Sequence, residues 1–226
     1  MHVTIFLNYL AQIYFLEKDN EVEENQLALI ATSEITCAGL LAGETLQKKD
    51  LPKKYVCLSH CFRKEAGHGQ HSKGLYRLHQ FTKVEMFAFT ECSSELSERA
   101  HKEMLSIQEE LYTSLGLHFK VLDMPTEELG NAAYRKYDIE AYLPSKEGFG
   151  EISSTSNCTD YQSMRLNLQY FDKNFEKKLV HTVNGTAVAI PRLLIAIIEN
   201  FQDKDGKIRI PDVLRPYTFG MDYIGK

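Results

Sequence analysis

Phe62-Arg63-Lys64-Glu65 is followed by a bend rich in Gly, His and Ser, and then by Arg77-Leu78-His79-Gln80-Phe81-Thr82-Lys83-Val84-Glu85. Successive side chains of an extended strand point to opposite faces. That alternation predicts Arg77, His79, Phe81, Lys83 and Glu85 on one side, with Tyr76, Leu78, Gln80, Thr82, Val84 and Met86 on the other. The same parity joins Arg63 to Glu65, and a hairpin would set both across from the second row. Guanidinium groups, an aromatic ring and carboxylates on one face can take a phosphate, a planar base and an amino acid together. The pattern equally describes a solvated strand face held by cross-strand ion pairs.

Two later segments carry chemistry of other kinds. In Gly148-Phe149-Gly150-Glu151-Ile152-Ser153-Ser154-Thr155-Ser156-Asn157 a carboxylate precedes a hydroxyl by three positions between glycines. Glu151 and Ser154 are hard oxygen ligands of the sort a magnesium ion shared with phosphates accepts, although on spacing alone a polar turn bonding its own backbone is the simpler account. Farther on, Val180 to Arg192 reads as a strand, a glycine turn at Gly185 and the start of a helix, with Pro191 in its first turn. The run Leu193 to Ile198 is apolar on nearly all sides, which predicts a buried helix. Arg192 then lies near the positive end of that helix and needs an anion, either a protein carboxylate or a triphosphate.

These segments need a scaffold, and the rest of the chain supplies the pattern for one. Charged residues make up 25% and apolar ones 43% of the sequence, enough for a sizeable core in one globular domain. The net charge of -5 and the lack of a long basic run speak against electrostatic wrapping of nucleic acid by this chain alone. Five irregularly spaced cysteines favour reduced thiols inside the cell. Met1 to Leu16 is apolar but too short to span a bilayer and lacks the charge pattern of a signal or transit peptide. Residues 1–25 are read as a remnant of helix or strand, and 26–226 as the domain proper. Ile35 to Gln47 reads as helical. Tyr55 to Glu65 and Leu75 to Phe89 are the hairpin strands, and His118 to Leu122 and Tyr137 to Leu143 two more. Leu96, Ala100, Met104, Ile107, Leu111 and Leu115 recur at helical steps between a Ser93 or Ser94 cap and Gly116, giving a packing helix without assigned chemistry.

Taken together, Phe62-Arg63-Lys64-Glu65 with Arg77, Phe81 and Glu85 resembles the second signature motif of class II aminoacyl-tRNA synthetases, and Asn184-Gly185-Thr186 with Arg192 resembles the third. The wording of Thr32-Ser33-Glu34, Leu51-Pro52, Cys61 to Gly67, His79 to Glu85, Glu151-Ile152-Ser153-Ser154 and Ser156 to Asp160 is similar to the seryl-tRNA synthetase family, from about Gln26 to the end. Gly74-Leu75-Tyr76-Arg77 and Ala189-Ile190-Pro191-Arg192 further resemble the eukaryotic organellar branch, which implies an intracellular protein of the mitochondrion, with the cytoplasm as the alternative. The fold implied is α+β, a mainly antiparallel sheet flanked by helices.

The resemblance implies a role for each matching residue. Arg63 would hold the substrate carboxylate and the α-phosphate of ATP, Glu65 would accept from the adenine amino group, and Phe81 would stack on the adenine, with Arg77 also at the ATP. Glu151 and Ser154 would meet Mg2+ and the phosphates, and Arg192 the γ-phosphate. Thr32, Glu34, Glu85, Asn184 and Thr186, together with Arg63, would surround L-serine. The implied reaction forms seryl-adenylate and then transfers the seryl group to tRNA(Ser), so Arg63 and Arg192 act by positioning and charge rather than as nucleophiles.

Departures from the family pattern are also visible. Neither the long helical tRNA-binding arm nor the first class II motif, which builds a homodimer, is recognisable. Met164 stands where a basic residue is common, Ala31 where glycine is usual and Thr186 where serine is common. The chain is therefore expected to be either a piece of a longer enzyme or a short paralogue, the latter being an amino acid–carrier protein ligase or a non-catalytic binding subunit. His60, His68 and His71 with Cys57 and Cys61 raise a zinc site as a further option, against which their spacing lacks a tight knuckle. His68, His71 and Lys73 in the bend are either RNA contacts or an exposed loop.

Overall fold

The computed structural model describes residues 12–17, 26–65 and 75–225. Most of the expected N-terminal remnant lies outside these residues, as do His68, His71 and Lys73. Within 12–17, Phe15 bridges Ala28 and Ile13 is buried against the domain.

Thr32, extended, accepts the Glu34 amide on its hydroxyl at 3.3 Å and so caps α1 (Ser33–Gly39). The helix predicted to run on to Gln47 stops here instead. Gly43 takes a left-handed φ of +80°, and the segment beyond it becomes β1 (Thr45–Gln47), paired in parallel with Gln169–Phe171. A strand partner distant in sequence outweighs the local helical preference. β2 (Lys53–Phe62) and β3 (Gln80–Thr90) form the expected hairpin, but their ladder is shorter at the loop end, leaving Arg63 to Glu65 and Leu75 to His79 outside it. α2 (Ser94–Ser114) is capped by the Ser93 hydroxyl, and Gly116 beyond it adopts φ +72°. β4 (Phe119–Asp123), β5 (Arg135–Leu143) and β6 (Gly148–Thr159) follow, so the Glu151 segment is a strand and not the polar turn that its spacing also allowed. Then come α3 (Tyr161–Leu166), β7 (Gln169–Phe171), β8 (Lys177–Leu179), β9 (His181–Ala189), α4 (Ile190–Phe201) with Pro191 in its first turn, and the short pair β10 (Ile208–Arg209) and β11 (Tyr223–Ile224).

The principal sheet has the order β2-β3-β9-β6-β5-β4, and every pairing in it is antiparallel. Its back face packs on α2 and α4. Met86, Ala88 and Val183 meet Ala100 and Met104 of α2, while Ile139, Ala141, Leu143 and Ile152 join Tyr112, Leu115, Ala196 and Ile197. At one end of the front face, Phe87 and Phe89 pack beneath α1, α3 and the small sheet β1-β7-β8 through Cys37, Ala38, Leu166, Leu168 and Tyr170. α4 is not enclosed as its composition predicted. Leu194 and Ile198 are 50% and 41% exposed, because only one side of the helix meets the sheet.

Two bulges decide which side chains face front. Glu140 pairs with Glu151 but Ile139 pairs with Ser153, leaving Ile152 unpaired. Glu85 pairs with Thr186 but Val84 pairs with Val188, leaving Ala187 unpaired. One extra residue inverts the alternation beyond it, so Glu151 and Ser154, three positions apart, share the front face. Gln108 of α2 pins both irregularities. Its amide nitrogen donates to Ser153 Oγ at 2.9 Å, to the Ser154 carbonyl at 3.0 Å and to the Thr186 carbonyl at 2.7 Å. The Tyr112 hydroxyl donates to the carbonyl of the bulged Ala187 at 2.9 Å. The helix read only as packing thus sets the shape of the two central strands.

Gly185 of β9 pairs with Thr155 of β6, and a β-carbon there would fall 2.8 Å from Thr155 Oγ1 and 2.9 Å from its Cβ. Gly185→Ala is therefore expected to lower stability by about 1–3 kcal/mol, the range for overpacking a fitted interior. Urea unfolding of the two proteins measures this, with a smaller midpoint and an unaltered slope expected for the variant.

Candidate active site

The front face opens into a cavity of about 300 Å³ between β3, β9, β6 and the N-terminal end of α1. Every residue singled out from the sequence as a site residue lines it: Thr32, Glu34, Arg63, Glu65, Arg77, Phe81, Glu85, Glu151, Ser154, Asn184, Thr186 and Arg192.

Its floor is a cluster of charges on neighbouring strands. Glu85 is 2% exposed and pairs with the Lys83 ammonium two residues back on the same face. The Thr186 hydroxyl, opposite Glu85 across the β3–β9 ladder, donates to Glu85 Oε2 at 3.2 Å and lies 3.4 Å from Lys83 Nζ. Glu34 enters from the first turn of α1. Its Oε1 accepts from Gln162 Nε2 at 2.6 Å and from Asn184 Nδ2 at 3.0 Å. The Thr182 hydroxyl donates to Gln162 Oε1 at 2.7 Å, which fixes the amide so that its nitrogen faces Glu34. Glu34 keeps some exposure only because it opens on the cavity. Enclosure by protein, and next the charge of Glu85, raise its pKa to about 7 against the pull of Lys83, Gln162 and Arg63.

Midway along the cavity the Arg63 guanidinium carbon lies 5.2 Å from the centre of the Phe81 ring, and Arg63 Nε donates to the Ala31 carbonyl at 3.3 Å. Arg77 Nη1 meets Glu65 Oε2 at 3.0 Å. The charged face predicted from β3 holds for Phe81, Lys83 and Glu85, which are within the strand. It fails for His79, which precedes the strand and turns away to bond the Tyr14 hydroxyl at 2.8 Å.

At the far end Arg192 Nη1 lies 3.2 Å from Glu151 Oε2 and also donates to the Glu151 carbonyl at 3.2 Å. The anion required by the helix start is thus a protein carboxylate, and it belongs to the residue singled out for metal and phosphate. Glu151 and Ser154 present hard oxygens on one face, which fits a magnesium ion that takes its remaining ligands from phosphate.

Several lining residues escaped the sequence reading. Lys83 was placed on the correct face but given no role, although its parity with Phe81 and Glu85 was the available signal. Ser156 shares the front face with Ser154 and pairs with Asn184. Tyr76 was placed on the opposite face, an error of the same origin as that for His79. Gln162, fully buried behind Glu34 and not itself lining the cavity, had no local signal at all. Of the zinc candidates, His60 points to the face of β2 opposite Cys57 and Cys61 and bonds Thr82 Oγ1 at 3.1 Å, while His68 and His71 lie outside the described residues.

The tRNA synthetase class II core domain family (G, H, P, S and T) matches residues 14–201. The chain is 52% identical over 205 residues to a serine--tRNA ligase of Rubrobacter xylanophilus, covering 90% of this chain and 48% of that protein. Among solved structures it is similar to the seryl-tRNA synthetase from Pyrococcus horikoshii complexed with ATP, with a TM-score of 0.86 and 44% identity over 95% of this chain and 46% of that one. It is also similar to the cytoplasmic serine-tRNA ligase from Naegleria fowleri in complex with AMP, with a TM-score of 0.86 and 36% identity over 94% of this chain and 49% of that one. The chain spans about half the length of the relatives it matches.

The state of Glu34 makes stability depend on pH in a defined direction. Its folded-state pKa, raised from 4.5 to about 7, means that the folded chain holds a proton the unfolded chain has lost, so the stability it lends is present below 4.5 and lost as pH rises through 7. Glu34→Gln removes this dependence. Its stability relative to wild type is expected to rise between pH 5 and pH 8 by on the order of 1–2 kcal/mol, discounted for the water that reaches Glu34 through the cavity. Urea titrations at both pH values test this; a difference that stays constant contradicts it.

Proposed function

This chain belongs to the class II tRNA synthetase core family, and we propose that it is the catalytic domain of a serine–tRNA ligase, joining L-serine to ATP as seryl-adenylate and passing the seryl group to tRNA(Ser). The observation that carries the proposal is the floor of the cavity, where Glu85 pairs with the Lys83 ammonium and the Thr186 hydroxyl while Glu34 is held by two amides alone. The uncompensated negative charge suits the ammonium of an amino acid. Glu85 and Thr186 suit a hydroxyl on its side chain. Alanine, lacking that hydroxyl, would forgo its hydrogen bonds to these enclosed groups, which disfavours it. Identity of about half with serine--tRNA ligases over most of the chain supports the same choice.

In this reading the remaining residues hold the nucleotide. Phe81 offers its ring to adenine, and Glu65, oriented by Arg77, accepts from the exocyclic amine. Arg63, between Phe81 and the floor, bridges the serine carboxylate and the α-phosphate, bringing the attacking oxygen in line and offsetting the charge that builds on the phosphoryl oxygens. Arg192 neutralises the distal phosphates. Glu151 and Ser154 would hold Mg2+, which would supply further neutralisation of the triphosphate. No side chain needs to act as a nucleophile, because the serine carboxylate attacks the α-phosphate directly and the bond to the β-phosphate breaks, releasing pyrophosphate. The second step, the homodimer usual in this family and the compartment, mitochondrial or cytoplasmic, belong to the same proposal. The reduced-thiol composition supports an intracellular setting.

Serine-dependent exchange of pyrophosphate into ATP tests adenylate formation directly. Wild type is expected to exchange with serine and not with alanine. Arg63→Ala and Glu85→Ala are each expected to lower the rate by at least roughly a hundredfold, the scale of losing a group that stabilises developing charge or orients the reactant. No exchange by wild type with any amino acid, or near-normal exchange by either variant, would refute the reading. Charging of tRNA(Ser) against loading of a carrier protein then distinguishes the acceptor.

A further inference from the structure

We propose that Tyr76 is a positioning residue that keeps the Arg192 guanidinium and the Glu151 backbone aligned for the phosphates; the inference rests on the reading of the cavity as an ATP site. Tyr76 was assigned to the wrong face by sequence and to no role by resemblance, yet three kinds of contact meet on it. The Arg192 guanidinium carbon lies 4.7 Å from the centre of its ring and the Lys146 ammonium 4.2 Å. Its hydroxyl donates to the Glu151 carbonyl, the acceptor that Arg192 Nη1 also uses. Its own carbonyl accepts from Arg192 Nε at 3.4 Å.

The seat for this ring is built into β6. A β-carbon at Gly150 would lie 2.7 Å from the Tyr76 hydroxyl oxygen and 3.2 Å from Cζ, so only glycine leaves room for the ring against the strand. Tyr76 also immediately precedes Arg77, which pairs with Glu65, so one anchored residue fixes both the return from the loop and the distal arginine. The physical effect is a balance. With the ring in place Arg192 Nη1 stays 3.2 Å from the Glu151 carboxylate; without it, nothing on the opposite side of the guanidinium would hold it from closing onto that carboxylate and spending its charge inside the protein. A π face holds a guanidinium without neutralising it, leaving the cation available to phosphate and the carboxylate available to a metal.

Calorimetric binding of Mg-ATP to the whole chain, with serine-dependent exchange kinetics beside it, tests the proposal. Tyr76→Leu is expected to weaken Mg-ATP binding about tenfold, the scale of a partly desolvated cation–π contact, while the KM for serine moves by less than about twofold. Tyr76→Phe, which keeps the ring, is expected to recover most of the loss. Added to Arg192→Ala, Tyr76→Leu is expected to cost little more, because both act through one guanidinium. If Tyr76→Leu does not fold, Tyr76→Met, of similar length and without a π face, takes its place in the cycle. Unaltered Mg-ATP affinity in a folded variant, additivity with Arg192→Ala, or an equal rise in the serine KM would each overturn the positioning role alone. A wild-type chain that binds no Mg-ATP would overturn the ATP reading and this proposal with it.

Discussion

Glu34 and Glu85 face one cavity in which Lys83 pairs with Glu85 while Glu34 feels Lys83 and Arg63 only at longer range, and the rest of the front face is arranged around that imbalance. A carboxylate withdrawn from water is tolerated only when hydrogen bonds or a counter-charge replace the lost hydration. Glu85 has Lys83 and the Thr186 hydroxyl. Glu34 has two amides and no cation of its own, and it retains a proton up to about pH 7. The surrounding fold reflects the demands of these two groups. α1 begins at Thr32 so that Glu34 projects from its first turn, and α3 carries Gln162 under it, oriented by Thr182 of β9.

The same economy runs through the back of the sheet. A regular β6 would put Glu151 and Ser154 on opposite faces, and a regular β9 would put Thr186 and Ala189 on opposite faces. The bulges at Ile152 and Ala187 bring each pair to the front, and Gln108 and Tyr112 hold the bulged backbone from behind. Bulged peptide groups lose ladder partners, and an enclosed peptide group without a partner is costly. Side chains of α2 therefore do for these strands what neighbouring backbone does elsewhere in the sheet. This ties the geometry of the cavity to a helix that never touches it.

What could be read from the sequence follows the same division. Strand alternation located Phe81, Lys83 and Glu85 together because β3 is regular across that stretch. It misplaced Tyr76 and His79 because the ladder begins only at Gln80. Resemblance collected residues from five separate segments that prove to line one cavity, including Glu151 and Ser154, which alternation alone would have separated. The bulges had no local signature, since nothing in Glu151-Ile152-Ser153 or Thr186-Ala187-Val188 marks an unpaired position. The helix expected to reach Gln47 was lost to a parallel partner more than a hundred residues away, a contact that local propensity does not register. Gln108 and Gln162, both buried, look in sequence like ordinary polar positions on helices, and only their three-dimensional partners reveal them.

The central claim is that the floor lacks one positive charge, which the amino acid brings. Proton exchange on binding measures this most directly. Serine would be titrated into the protein with a non-hydrolysable ATP analogue at pH 7, in two buffers of different ionisation enthalpy. An ammonium arriving beside Glu34 should expel its proton, so the account predicts release of roughly half a proton per serine at a pH equal to the Glu34 pKa. That release should vanish in Glu34→Gln. Binding of serine with no net proton exchange, or with uptake, would contradict the account.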